Sequence, residues 1–349
     1  YFELGQLEIY ENLEDLPDVE VTLVKLIDGK PLIWHRATQS ATAGPSLANR
    51  SNEKTVFALA IFPDTNDSAT GTPPSIVECS GLFPSSLSYE FGIEGGFQES
   101  VTLVGNDKIW KSDGKILNTA DLARTAALTF AGVFTTNADS SSGLARREDL
   151  IFDFTNASGF DRNLMVADED ATILPPEVDG ISTSGTNAKS DGTNYDAHIQ
   201  SISISTDLGR ESLNELGRKG PYHRFVNFPT QVTCAIEVLS TSGDMVSATE
   251  NGIYSTGGTC SDASNLKDRT IRIATCDRND GIRIYLGTKN KLESVDYGGG
   301  DAGGGNATTT YNFTTFNNLT VMASYDPNTA NTGAGGWWAQ RGQYLLNLT

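Results

Sequence analysis

Residues 88–110 read SYEFGIEGGFQESVTLVGNDKIW. Apolar and polar residues alternate on both sides of Gly95-Gly96, a period of two that is typical of half-buried strands joined by a glycine turn. The stretch therefore predicts two antiparallel strands with one face toward a core and one toward water. The predicted core residues are Leu87, Tyr89, Phe91, Ile93, Val101 and Leu103.

The opposite parity carries small polar and acidic residues. These are Ser86, Ser88, Glu90, Glu94, Gln98, Ser100 and Thr102. Glu99 has the parity of the core face, so we expect a bulge or the hairpin tip to accommodate it.

Most of the remaining chain also reads as strand and loop. Clear alternation recurs at Val19–Leu23, Ser201–Ser205 and Val232–Val238. Shorter predicted strands are Thr270–Ala274, Ile282–Leu286, Thr308–Thr314 and Leu319–Ser324, and the 35 glycines supply turns. Only Leu122–Phe134 has a helical pattern. We predict a mainly β fold, a β-sandwich or partly closed barrel over residues 1–349 with a long hairpin and a loop-rich insertion at 111–195.

The charge excludes several classes of partner. Lys and Arg number 25 against 44 Asp and Glu, so the net charge is −19. Such a chain is a poor candidate for wrapping nucleic acid or for binding an anionic membrane. No apolar run reaches the roughly 18 residues of a membrane-spanning helix and no secretion signal is visible, so we expect assembly in a cytoplasm.

No cofactor or metal is predicted. Cys79, Cys234, Cys260 and Cys276 are far apart and lack zinc-ligand spacing, which indicates free thiols. The glycine run of residues 298–306 resembles one calcium-binding repeat, but a single copy favours a hairpin loop instead.

Catalytic patterns are also weak. His35, His198 and His223 stand in no nucleophile motif, and we expect His223 to be structural. Glu90 and Glu94 could form a glycosidase pair, although acids at strand spacing are common. Trp337-Trp338 could be a sugar platform or a C-terminal anchor. The sequence therefore predicts no enzyme.

Two stretches resemble a known family. Residues 86–110 and His198–Ser240, with RESLNELGRKGPY at residues 210–222, are similar to tail tube (major tail) proteins of tailed bacteriophages. That resemblance implies a virion structural protein: a β-sandwich subunit that forms hexameric rings stacked into a tail tube, through which phage DNA is ejected. It further implies contacts with the tape-measure protein, tail terminator or neck proteins, baseplate proteins and, in contractile tails, a sheath.

Under this resemblance the polar residues from Ser86 to Thr102 line a DNA-repelling lumen, because an acidic lining does not hold phosphates. Subunit contacts are expected at Arg210, Glu211, Glu215, Arg218 and Lys219, and residues 111–195 would form an outer wall or a ring-to-ring contact. Two alternatives stay open. One is a capsid cement or decoration protein; the other is a carbohydrate-binding β-sandwich that uses Trp337 and Trp338.

Overall fold

A computed structural model describes residues 18–28, 32–38, 46–62, 75–111, 144–145, 147, 150–155, 199–217, 220–239, 270–275, 282–299 and 306–323. Across these ranges the chain is mainly β, with two short helices, α1 (Ile33–Ala37) and α2 (Leu47–Arg50). The strands are β1 (Val19–Leu26), β2 (Thr55–Ile61), β3 (Ser75–Gly92), β4 (Gln98–Gly105), β5 (Ile109–Lys111), β6 (Leu150–Thr155), β7 (Ile199–Asp207), β8 (Arg210–Leu213), β9 (His223–Val226), β10 (Gln231–Leu239), β11 (Thr270–Thr275), β12 (Ile282–Tyr285), β13 (Lys291–Gly298), β14 (Thr308–Phe316) and β15 (Thr320–Ala323).

The main sheet is antiparallel, in the order β1-β4-β3-β7-β10-β14-β13. The predicted hairpin is confirmed: β3 and β4 pair from Phe83 opposite Val104 to Glu90 opposite Gln98, and Gly95-Gly96 lies in the connection. The main sheet does not close into a barrel within the described residues, since β1 and β13 each pair on one side only.

A second antiparallel sheet has the order β15-β12-β11-β6. One apolar cluster joins the two sheets, which gives a sandwich-like arrangement. From the main sheet it contains, among others, Tyr89, Phe91, Ile204, Ile236 and Phe313, and from the second sheet Ile271, Ile273, Ile282, Ile284 and Val321. Because strand side chains alternate between faces, this packing leaves the other face of the main sheet outside the core.

Strand β3 is long enough to belong to two sheets. Its first part pairs with β2 and β5, and its second part pairs with β4 and β7. Gly81 has a φ of 61°, and the register with β4 shifts between Pro84 and Ser86. Glycine tolerates that positive φ, and a bulge accommodates a proline within a strand. We call β2, β5 and residues 75–82 the arm.

The Gly105-Asn106-Asp107 turn contacts the arm and, through Arg224, connects β9 and Asp18. A Cβ on Gly105 would lie 2.8 Å from Cδ2 of Leu82, so a side chain has no room there. Asp107 accepts a hydrogen bond from the Ser80 hydroxyl. The Arg224 Nη2 donates to Asn106 Oδ1 at 2.9 Å and to Asp18 Oδ1 at 2.8 Å, so β9 is bound to the end of β4.

The expected insertion is partly a component of the sandwich. Leu150–Thr155 forms β6 and pairs with β11 from Leu150 opposite Thr275 to Thr155 opposite Thr270. This part of 111–195 is therefore a strand of the second sheet rather than a decoration of the core. Most of the insertion, including the predicted helix at Leu122–Phe134, lies outside the described residues.

Candidate functional site

The exposed side of the main sheet is a largely polar surface, which we call the polar face. At its β1 edge the exposed Val24 and Leu26 share this surface, opposite Ser100 and Gln98. Its side chains lie in rows across the strands, because antiparallel pairing places partners side by side. The central row is Ser100, Ser88, Ser205, Thr233 and Thr314. The next row is Gln98, Glu90, Ser203, Ala235 and Asn312, and the third is Gly92, Ser201, Glu237, Thr310 and Asp296.

Side-chain hydrogen bonds connect neighbouring strands on this surface. Ser205 and Thr233 hydroxyls lie 2.8 Å apart, and Ser201 donates to Glu237 Oε2 at 3.0 Å. On the outer strands, Asn312 Nδ2 donates to Asp296 Oδ2 at 2.7 Å. The polar face is therefore partly organised before any partner arrives.

The polar face is acidic. Glu20, Glu90, Asp207, Glu237 and Asp296 lie on it, and Lys291 at the β13 edge is the one basic residue among its described positions. Between these charged residues the polar face carries mainly serine and threonine, whose short side chains present hydroxyl groups. Such a surface offers no row of cations to which nucleic acid phosphates could bind.

Six of the seven predicted lumen residues lie together on the polar face: Ser86, Ser88, Glu90, Gln98, Ser100 and Thr102. Glu94 is exposed, but it belongs to the hairpin connection, because β3 ends at Gly92. The alternation also ends there: Ile93, predicted in the core, is 38% exposed. The predicted strand therefore ran two residues beyond Gly92, where β3 ends.

Glu99 corrects another expectation. It needs no bulge or hairpin tip: it lies within the regular β4 pairing, opposite Tyr89 and Lys25, and its side chain is 0% exposed in the core. Its carboxylate accepts hydrogen bonds from the backbone N–H of Ile33 (2.5 Å) and Trp34 (3.1 Å) and from the Tyr89 hydroxyl (2.9 Å). The first N–H groups of a helix have no partner inside the helix, so Glu99 caps α1 from the sheet.

Burial raises the pKa of Glu99 above its usual value, because water stabilises the carboxylate better than the core does; its three hydrogen-bond donors and the charge interaction with His35 oppose this shift. Burial also raises the pKa of Tyr89 well above its usual value, and neighbouring Glu99 raises it further. The Tyr89 hydroxyl therefore remains a proton donor to Glu99. This pair holds α1 against the core side of the sheet.

Two of the expected contact residues, Arg210 and Glu211, belong to β8, which pairs with β9 in a two-stranded sheet. Arg210 is half-buried and donates to the carbonyls of Pro84, Ser51 and Arg224, while its guanidinium lies 4.9 Å from the Phe83 ring centroid. Burial lowers the pKa of Arg210 to about 10, and Arg224 adds to the shift. These bonds give Arg210 a role within the subunit, and its role in an interface stays a prediction.

The next two predicted contact residues lie at the surface of the subunit. Glu211 and Glu215 are exposed, and Glu211 accepts a hydrogen bond from Asn227. Arg218 and Lys219 fall outside the described residues, between Gly217 and Gly220. Their part in subunit contacts stays a prediction.

Two of the remaining candidates, His35 and His223, contact other parts of the subunit. His223 packs edge-on against Phe83 at 5.3 Å, and His35 Nε2 lies 2.8 Å from the Val321 carbonyl oxygen. Cys79 and Cys234 are buried free thiols, and burial raises the pKa of both. His198, Cys260, Cys276, Trp337 and Trp338 lie outside the described residues.

The glycine run falls in a hairpin connection, since Gly298 ends β13 opposite Thr308 at the start of β14. In the portions of the chain that the structure describes, no three His, Cys, Asp or Glu side chains are grouped so that they could hold a metal ion. None of the described helices has the length and apolar character needed to cross a membrane.

Comparison with known proteins adds no assignment. No protein-family model matches this chain, and no curated protein matches it.

Proposed function

We propose that this protein is a structural subunit of the tail-tube type, whose copies form rings that stack into a tube with the polar face toward the lumen. The observation that carries the proposal is the polar face itself: a wide, acidic, hydroxyl-rich sheet surface backed by an apolar core. The two sequence stretches that resemble tail tube proteins supply β4, the second part of β3, β7 and β10, which are four neighbouring strands of this sheet.

Electrostatics makes such a lining suitable for the passage of DNA. Duplex DNA carries about one charge per 1.7 Å of axis, and charges are screened over about 8 Å in physiological salt. A lining with five acidic residues and one lysine per subunit repels phosphates over that distance. DNA would then slide without adhering, and no catalytic group is required.

The sheet edges favour assembly of several copies. In the described residues β1 and β13 each have one open side, and an open strand edge is a site for pairing with another chain. Placing copies around a closed ring covers such edges without leaving a free end.

A charge reversal on the polar face tests the proposal. Glu90→Lys changes an exposed residue in the middle of the polar face, and Glu53→Lys makes the same charge change before β2, off that face. We expect both variants to form tubes visible by negative-stain microscopy, while Glu90→Lys tubes alone retain duplex DNA in co-sedimentation at low salt. Release should follow as salt is raised. If the wild-type protein stayed monomeric and was absent from isolated tails, or if Glu90→Lys tubes did not retain DNA, the proposal would be wrong.

A further inference from the structure

The chain enters the described part of the structure beside strand β9. Asp18, the first described residue, accepts hydrogen bonds from Arg224 Nη2 at 2.8 Å and from Asn106 Nδ2 at 3.0 Å. These two bonds fix the point from which residues 1–17 extend. That point lies next to β8, β9 and their connection, residues 210–226, which we call the β8–β9 hairpin.

The tip of this hairpin carries exposed apolar side chains. Leu216 is 103% exposed and Tyr222 is 58% exposed, and we call these two residues the tip patch. Tyr222 is two residues from Arg224, a step of roughly 7 Å in an extended chain. Its backbone N–H donates to the Leu213 carbonyl at 2.7 Å, which ties the tip to β8. The tip patch is therefore close to the point from which residues 1–17 extend.

Two guanidinium groups lie near the same point. Arg210 Nη1 donates to the Arg224 carbonyl oxygen at 2.9 Å; burial lowers the pKa of Arg210, and the positive charge of Arg224 lowers it further. Arg224 pairs with the Asp18 carboxylate, whereas Arg210 donates to three carbonyl groups. Glu211 follows Arg210 directly and so belongs to the opposite face of β8. In these contacts two arginines share one carboxylate, which favours a further acidic group beside them.

The composition of residues 1–17 suits this surface. These residues, which lie outside the described ranges, read YFELGQLEIYENLEDLP, with eight apolar side chains, five acidic ones and no basic one. Their charge is 0 − 5 = −5. Six extended residues span roughly 20 Å, so Leu13 and Leu16 can reach the tip patch from Asp18.

Attachment to the same chain favours these residues over a free partner. A segment joined to its site by a short linker is present there at an effective concentration in the millimolar range. The hairpin is also held in place, because Arg210 links β8 to the carbonyls of Pro84 and Ser51. Little entropy is lost when an anchored surface of this kind binds its partner.

We propose that residues 1–17 bind the β8–β9 hairpin of their own chain, with Leu13 and Leu16 against the tip patch and the acidic residues toward the two arginines. The segment then covers the hairpin on which the proposed function expects subunit contacts. A covered subunit cannot make those contacts, so the segment has to be displaced before assembly. This autoinhibitory role rests on the proposed function, whereas the contact within the chain does not.

Thiol labelling at position 216 tests the contact in the full-length protein. Leu216→Cys places a small apolar side chain in the tip patch. Its reaction with a maleimide is measured in dilute solution and located by peptide mass spectrometry, which separates it from reaction of the native cysteines. The rate is compared between the natural segment and a segment that carries Leu13→Asp and Leu16→Asp. Val24→Cys, at an exposed position on β1, is the matched control, and circular dichroism melts establish that each variant is folded.

The thiol of Leu216→Cys should react at least about tenfold faster when the segment carries both aspartates, because two leucines are then lost from the contact. The rate at Val24→Cys should stay the same. A second segment variant, Glu11→Lys with Glu14→Lys, keeps the leucines and should give a smaller increase. Added salt should also raise the rate with the natural segment, since it screens the attraction between carboxylates and arginines.

Sedimentation velocity over a concentration series tests the autoinhibitory role in proteins without the added cysteines. The wild type should need about tenfold more protein to assemble than the variant with Leu13→Asp and Leu16→Asp, because only the uncovered fraction of subunits associates.

An equal labelling rate at Leu216→Cys with both segments would overturn the inference. Protection that is lost on dilution would also overturn it, because the occupant would then be a second copy. Assembly at the same concentration with and without the aspartates would remove the autoinhibitory role. If the labelling rates differ as expected while both proteins stay monomeric at every concentration, the proposed function is wrong and the contact within the chain stands.

Discussion

Replacing Glu99 by glutamine should destabilise the subunit strongly, although the two side chains have nearly the same shape. The carboxylate accepts three hydrogen bonds from Ile33, Trp34 and Tyr89. An amide keeps one oxygen, which can serve Trp34 and Tyr89, but its NH2 group then faces the Ile33 N–H. A hydrogen bond to a charged acceptor is worth about 1.5–3 kcal/mol. We therefore expect a loss of about 2 kcal/mol in the free energy of unfolding when the Glu99 carboxylate is ionised.

The loss should depend on pH in a defined direction. The pKa of Glu99 is raised by burial, so the folded protein binds this proton more tightly than the unfolded chain does. The stabilisation from this linkage is fully present below the ordinary glutamate pKa of about 4.3, and it is lost as pH rises through the folded pKa. The difference between wild type and Glu99→Gln should therefore be largest in acid and should shrink toward neutral pH.

Urea unfolding between pH 4 and pH 8 measures this difference. The unfolding transition can be followed by tryptophan fluorescence. Trp34 is one of the reporters, because it is buried and its backbone N–H donates a hydrogen bond to Glu99. Tyr89→Phe is the matched variant: it removes one donor to Glu99 and should cost about 1 kcal/mol. It should cost less in the Glu99→Gln background, where the Tyr89 hydroxyl donates to a neutral amide oxygen instead of a carboxylate. A wild-type advantage that grows toward neutral pH would refute the reasoning, because hydrogen bonding would then outweigh burial.

Three further substitutions give separate tests. Gly105→Ala should lower the free energy of unfolding by about 1–3 kcal/mol in a urea titration, because the added Cβ would lie 2.8 Å from Leu82. The control, Gly220→Ala, has no atom near the added Cβ and should have little effect in the same titration. Arg210→Lys should lower the free energy of unfolding by about 2 kcal/mol, because an ammonium group cannot donate to three carbonyls as the guanidinium does. The control, Arg36→Lys at an exposed position, should change it by less than about 0.5 kcal/mol. Equal melting temperatures for Arg210→Lys and the wild type would exclude the anchoring role. Arg218→Glu should impair ring or tube formation in electron micrographs while the melting temperature is retained, and normal tubes from this variant would remove the expected contact at residue 218.

The strands and the polar face were predictable because their signal is local. Alternation along β1, β3, β4, β7 and β10 assigns each side chain to a face from its parity alone. The strand order is not local, so the sequence did not indicate that Ser88 would lie beside Ser205 or that Thr233 would lie beside Thr314.

The errors arose where a distant partner decides the outcome. The alternation placed Glu99 on the core side of its strand. Its hydrogen-bond donors, Ile33 and Trp34, are more than 60 residues away in the sequence, so the residues next to Glu99 give no sign of them. Helix α1 was missed because five residues carry too little periodicity and its cap comes from another element. The bonds of Arg210 to the carbonyls of Pro84 and Ser51 could not be predicted either, because only folding brings these carbonyls to Arg210.

The continuity of β3 has a mechanical consequence. One backbone runs from the arm into the centre of the main sheet without an intervening loop, so tension applied to the arm is transmitted along that covalent chain. Within the main sheet, β3 lies between β4 and β7, and a pull along its axis loads the hydrogen bonds on both sides in shear, many at once, rather than opening them one after another. In an assembly of such subunits, tension on the arm would therefore be carried by a strand that is hydrogen-bonded on both sides.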